Sequence, residues 1–297
     1  MKVVLITGAS GLVGKTLSKL LAESGYTVRK LTTQRALTER EGFFYWNPST
    51  MELDEKALEG VDYIIHLAGS SIGAGRWTNK RKQEIEESRT GSATLLFNKV
   101  KELKIDLKAF ISSSATGYYG STTSETIFDE YSPAGNDFLA KVCVAWEKSA
   151  DRFQLEGIRT VKLRTGVVLA KGAPALEKML LPIKLGIGGP LGNGRQHMPW
   201  IYLGDLCRMY LRAIEDETMS GAWNAVAPQH ITNRQLMKAL AHKLHKPFFF
   251  PPVPAFILKM LLGEMAIIIT DGSRVTPRRF NASGFTYEIE TIYDLQL

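Results

Sequence analysis

Gly8, Gly11 and Gly14 recur at every third position in the stretch "TGASGLVG". Glycines at that spacing let several backbone N–H groups converge on one point, which is the chemistry of binding a pyrophosphate. The run before them, "VVLI", is short, branched and apolar, as in a buried parallel strand. The run after them places Leu12, Leu17, Leu20 and Leu21 on one helical face, and Gly25 follows where a C-cap glycine would sit. A tight turn without a ligand would need the same glycines. The flanking strand and helix are the context that favours the phosphate-binding reading.

Strand-like and helix-like runs alternate through the first half. Strands are expected at 26–32, 42–46, 61–69, 108–115 and 159–170, with helices over 80–104 and 137–156. This alternation predicts a doubly wound parallel sheet with right-handed crossovers, in which ligands bind beyond the carboxyl ends of the strands. After Ala170 the texture changes. Residues 185–200 are rich in Gly and Pro and read as a loop. A helix over 203–215, a strand over 221–228 and a helix over 232–244 follow, and 255–270 reads as a helix packed on the domain. The expected division is a dinucleotide-binding domain over 1–170 and a smaller substrate-facing lobe over 171–297. Residues 199–227 of that lobe return to the main domain.

The chain of 297 residues is 44% hydrophobic and 23% charged, which fits a globular protein. Its net charge of +7 is spread along the sequence, with one short basic run, "RWTNKRK". Nothing in the motifs asks for nucleic acid. The nearest approach to a membrane span, 255–270, is interrupted by Lys259 and Glu264, so no membrane partner is expected. Two cysteines imply no disulfide framework and fit a reducing, cytoplasmic setting. The histidines show no metal-ligand spacing.

The second strand runs out as "LTTQR". A carboxylate there would bind the ribose hydroxyls of NAD. Its absence, with Thr32 and Thr33 at the strand end and Arg35 beyond, favours NADP(H), because an Arg can pair with a 2′-phosphate.

Taken in order, "TGASGLVG", "IIHLAG" and "FISSSATGYYG" resemble the extended short-chain dehydrogenase/reductases, which include nucleotide-sugar epimerases. "RWTNKRKQEIEESR", "FLAKVCVAWE", "RTGVVLAKGA", "GIGGPLGNGRQHMPWIYLGDL" and "PPVPAFILKMLLGE" narrow this to atypical epimerase-family proteins with a C-terminal domain of unassigned function. The resemblance implies a Rossmann-type fold and NADP(H) as cofactor. It places Gly8, Ser10, Gly11, Leu12 and Val13 at the pyrophosphate and Thr32 and Thr33 near the adenosine ribose phosphate. Leu67, Ala68 and Gly69 follow the fourth strand, Glu84 and Arg89 face the cofactor from the long helix, and Val167 lies near the nicotinamide. A small-molecule substrate is implied without being identified. Homodimer packing through two helices is common in that superfamily, and no residue here decides it.

The same superfamily uses Tyr-x-x-x-Lys on one helix as its proton donor, with a Ser to hold the substrate oxygen. In "DFLAKVCVAWE" the pair falls on Phe138 and Val142 in one register and on Leu139 and Cys143 in the other. Neither restores the acid. Ser114 matches the superfamily serine, and Tyr119 is a candidate replacement donor, with pocket lining the plainer role. Asp129 and Glu130 are further acids, on what reads as a surface turn. Arg195, Gln196 and Trp200 are candidate substrate contacts on the Gly-rich loop. Two functions stay open: an NADP-dependent oxidoreductase or epimerase acting on a carbonyl or sugar-like molecule, and an NADP-binding sensor or scaffold without turnover.

Overall fold

A computed structural model describes all 297 residues. Its main sheet starts with β1 (Val3–Thr7), where side chains alternate between faces. Val4 and Ile6 join one apolar layer and Leu5 the other. The remaining strands of this sheet are β2 (Thr27–Thr32), β3 (Phe43–Asn47), β4 (Glu52–Leu53), β5 (Tyr63–His66), β6 (Ala109–Ala115), β8 (Arg159–Thr165) and β11 (Gly221–Ala225). Their order is β11-β8-β6-β5-β1-β2-β3-β4, parallel throughout except for the β3–β4 pair. Chain order reverses at β1, which lies between β2 and β5, so a crevice opens beyond their carboxyl ends. The register sets Thr7 beside His66 and His66 beside Ser112.

Helices cover both faces. Helices α1 (Leu12–Glu23) and α5 (Leu203–Glu215) bury apolar stripes in the layer of Val4, Ile6, Ile65 and Ile111, and α4 (Pro174–Lys184) and α6 (Asn233–Lys243) pack on each other to extend that layer. Helices α2 (Asn79–Glu102) and α3 (Phe138–Leu155) cover Leu5, Ile64 and Phe110 on the other side. Phe110 stacks on Phe153 of α3 at 3.8 Å. The fold is the doubly wound α/β class that the alternation of strands and helices predicts. No helix is long and apolar enough to cross a membrane.

Three elements depart from expectation. The run 159–170 is two strands, broken at Gly166. β8 stays in the main sheet, while β9 (Val167–Leu169) leaves it to pair with β10 (Trp200–Tyr202). Residues 174–184 form α4, a helix that the Gly- and Pro-rich texture around it concealed; Pro174 sits in its first turn, where the missing N–H costs nothing. The run 255–270 divides at Gly263 into α7 (Ala255–Leu262), one turn of 3₁₀-helix and α8 (Ile267–Thr270). After α8, β12 (Arg274–Val275) pairs with β7 (Ile127–Phe128), and α9 (Arg278–Ala282) closes on β11.

Candidate active-site cleft

The turn from β1 into α1 is a cradle made of backbone. Gly8 has φ +67, and a Cβ there would lie 3.0 Å from the Leu67 carbonyl carbon. A Cβ on Gly14 would lie 2.4 Å from the Gly8 oxygen and 2.6 Å from the Ala9 Cα. Gly11 is the N-cap of α1, and no side chain caps the first N–H groups of the helix. They face the crevice with the positive end of the helix dipole, which is what a pyrophosphate requires. Thr7 supports the cradle from below. Its hydroxyl oxygen accepts from the Leu67 and Ala68 amides, each at 3.0 Å, and so joins the β1 turn to the β5 loop. Ser10 and Gly11 are exposed, and Leu12, Val13, Leu67 and Ala68 are half-buried at this edge.

At the end of β2, Thr32 is buried and accepts from the Gln34 amide, while Thr33 is exposed. Arg35 stacks on the Tyr45 ring at 3.9 Å and lies 3.8 Å from Glu52. No carboxylate of β2 faces this edge, because the strand ends on threonine.

Beyond β5, β6 and β8 lies a cleft of about 260 Å³. Its walls come from Ala115 and Thr116 after β6, Gly166 and Val167 after β8, and His197 and Pro199 before β10. Helix α3 contributes one face at helical spacing: Leu139, Val142, Cys143 and Trp146. The helix is aimed by Asp137, whose side chain accepts from the Ala140 amide at 2.8 Å and from the Ser121 amide at 2.7 Å. The pair at proton-transfer spacing on the cleft is therefore Leu139 and Cys143. Phe138 turns away to pack on Trp77 at 5.0 Å. Leu139 carries no proton to give, and burial, with Glu147 nearby, pushes the Cys143 thiol up to about 12.

Arg89 is the one arginine on this cleft. It lies flat against Gly69 and over the Trp146 ring at 5.0 Å. Its guanidinium donates to the carbonyls of Ile85 at 2.7 Å and Ser70 at 3.1 Å, and it has no carboxylate partner. Burial lowers its pKa. A desolvated cation without a counter-ion is unfavourable alone and favours an anionic ligand. Glu84, expected beside it, is exposed, paired with Arg81 at 3.0 Å, and absent from the cleft wall.

The two residues expected to do proton chemistry lie elsewhere. Ser114 is buried and donates to Glu147 Oε1 at 2.7 Å. Glu147 forms a two-point ion pair with Arg164, at 2.8 and 2.9 Å. Arg164 also donates to the Tyr119 hydroxyl at 3.0 Å, which itself donates to Asn224 Oδ1 at 2.6 Å. Burial pushes Tyr119 up to about 12. Neither side chain reaches the cleft wall. The structure places both in a polar network packed between β6, α3, β8 and β11. The "surface turn" at 129–130 is corrected in part. Asp129 pairs with Arg278 at 2.8 Å, but Glu130 is buried and accepts from the Asn224 and Arg279 amides, both at 3.1 Å.

The expected substrate contacts also move. Trp200 is fully buried in β10, and Gln196 is fully buried with its amide donating to the carbonyls of Leu191 and Ile269. Arg195 is exposed and off the cleft wall. Three consecutive residues of this segment, His197, Met198 and Pro199, line the cleft instead. Asp271 and Ser273, which no spacing in the sequence singled out, reach it from the C-terminal segment. Ser273 is held there by donating to the Gly120 carbonyl at 2.5 Å. Burial and the neighbouring Arg274 lower the pKa of His197.

A second cavity of about 440 Å³ adjoins the first and shares Leu139 and Asp271 with it. Trp77, Phe138 and Ile267 form its apolar wall. Its roof is α7 and the turn after it. Arg76 donates to the carbonyls of Met260 at 2.7 Å and Leu261 at 3.0 Å, and Lys82 pairs with Glu264.

A switch-point crevice with a glycine cradle and a cleft beyond β6 defines a member of the Rossmann class. The chain belongs to the NAD dependent epimerase/dehydratase family, whose description matches residues 4–225, and a domain of unknown function, DUF1731, matches 253–294. Within that family it is 36% identical to the mouse epimerase family protein SDR39U1 over 288 residues, covering 96% of this chain and 94% of the mouse protein. It is 35% identical to the Bacillus subtilis epimerase family protein YfhF over 96% of this chain and 93% of that one. The crystal structure of human SDR39U1 (isoform 2) with NADPH superposes with a TM-score of 0.87 at 30% identity, covering 98% of this chain and 97% of that one.

Proposed function

We propose that this chain binds NADP(H) across the carboxyl ends of β1, β2, β5 and β6 and works as an oxidoreductase or epimerase on an uncharacterised small carbonyl or sugar-like molecule. The supporting observation is the Gly8–Gly14 cradle, with uncapped α1 amides on one side and the counter-ion-free Arg89 on the other. Its shape and charge fit a dinucleotide. The NADPH carried by the human relative points the same way. Gly8, Gly11 and the first turn of α1 would hold the pyrophosphate. Thr32, Thr33 and Arg35 would meet the adenosine ribose phosphate, and Val167 would flank the nicotinamide. When bound, the cofactor supplies the hydride chemistry; the protein supplies position and exclusion of water.

Calorimetric titration tests the reading. NADPH is expected to bind more tightly than NADH, and absence of heat with both overturns it.

Leu139 and Cys143 support a second reading, binding without turnover, because they stand where the superfamily places its acid. A broad carbonyl panel that leaves bound NADPH unconsumed would favour this sensor or scaffold role. Consumption by any member would favour the first.

A further inference from the structure

We propose, building on the cofactor reading above, that the second cavity seats an uncharged, conjugated carbonyl compound, a quinone or an enone, and that a nucleoside-diphosphate sugar is excluded. Two independent observations converge.

The first is the wall chemistry. Of the nine residues around the second cavity, Trp77, Phe138, Leu139 and Ile267 are apolar, while Asp137, Glu264 and Asp271 are acidic. Lys259 is the one cation on its wall, and its side chain is exposed. Recognition of a diphosphate calls for fixed, paired donors such as arginines. No arginine lines this cavity, and Arg89, across the cleft, is the cation assigned above to the dinucleotide. Glu264 is paired with Lys82 and Asp137 caps α3, so the rim offers a diphosphate no free cation held in place. Trp77, held by its indole N–H donating to the Ile72 carbonyl at 2.9 Å, offers a fixed aromatic surface instead.

The second is the missing acid. Reducing a simple ketone puts the electron pair of the hydride on carbon and creates an alkoxide, a strong base that needs a proton as it forms. The α3 face supplies Leu139, Val142, Cys143 and Trp146, and none of these is an acid at neutral pH. His197, with its lowered pKa, is neutral there, and Asp271 accepts from the Thr270 hydroxyl. A conjugated acceptor removes the requirement. One hydride, carrying its electron pair, passes from reduced nicotinamide to the quinone or to the enone β-carbon. The nicotinamide is oxidised and the acceptor becomes a phenolate or an enolate. A phenolate is a weak base, protonated near pH ~10, and takes its proton afterwards from water through the open second cavity.

The test uses the full chain. Calorimetry with NADPH comes first; 2-methyl-1,4-naphthoquinone, cyclohexanone and UDP-glucose are then titrated into the NADP⁺-loaded protein, and NADPH consumption is followed with each. The naphthoquinone is expected to bind and to be reduced with kcat/KM at least about 100-fold above cyclohexanone, the usual worth of a general acid. UDP-glucose is expected to give no heat. Ile267→Glu should weaken naphthoquinone binding about tenfold or more with NADPH affinity unchanged. If NADPH itself gives no heat, the cofactor reading falls and takes this proposal with it. If NADPH binds but UDP-glucose competes with the naphthoquinone, or cyclohexanone is reduced equally fast, or the naphthoquinone fails to bind, the substrate assignment alone is overturned.

Discussion

The glycine cradle and the cleft wall are built by different means. The cradle is backbone: Gly8, Gly14 and the open first turn of α1. The cleft wall takes side chains from α3, namely Leu139, Val142, Cys143 and Trp146. A backbone site depends on where atoms cannot be, so almost any substitution fills it. A side-chain wall can be rewritten without moving the helix, because Asp137 still caps α3 and Glu147 still anchors it to Arg164. The pyrophosphate cradle therefore keeps its ordinary form while the proton-transfer pair has been replaced.

Substitutions on each side sharpen this contrast. The largest effect is expected from Glu147→Leu, which leaves the buried Arg164 guanidinium unpaired. Urea unfolding should show a loss of about 3–5 kcal/mol, while the folded fraction keeps its NADPH affinity. Gly14→Ala follows. Its methyl meets the Gly8 oxygen at 2.4 Å, and the overpacking, about 3 kcal/mol, exceeds the roughly 1 kcal/mol of helix propensity gained. Here NADPH binding should disappear along with the stability, and retention of full affinity would break the comparison. Arg89→Met should weaken NADPH by about 2 kcal/mol, the scale of a charged hydrogen bond, measured by calorimetry.

Next comes pH. Burial, with Arg89 adding to it, lowers His66 to about 3. An unfolded His protonates near ~6.5, so between these values the unfolded chain binds one more proton than the folded one. This contribution to stability is complete above pH ~6.5 and declines as pH falls, at about 1.4 kcal/mol per pH unit. In His66→Gln, unfolding curves between pH 4 and 6.5 (about the span of that titration) should lose this part of the slope. The smallest effect is expected from Arg35→Ala, since Arg35 is exposed and already faces Glu52. The ratio of NADPH to NADH affinity should fall about threefold.

The same contrast explains what could be read in advance. Glycine spacing and the unbroken apolar run "VVLI" report local backbone requirements, so β1, its turn and α1 were legible. The absence of a Tyr-x-x-x-Lys pair from α3 was equally visible. Its correct register was not, because Phe138 and Leu139 are both apolar and only packing against Trp77 separates them. Ser114 and Tyr119 look like site residues by type. Their partners Glu147, Arg164 and Asn224 lie 33, 45 and 105 positions away, and no local pattern announces such pairings. Asp271 and Ser273 were hidden for the same reason: the turn carrying them reaches the cleft from more than 100 residues beyond Val167, through the pairing of β12 with β7.

Arg76 and Lys82 hold the C-terminal helical segment from the loop before α2 and from its first turns, and Arg89 stands about two turns further along the same helix. One helix thus carries both a tether of the segment above the second cavity and the cation laid over Trp146 on the cleft wall.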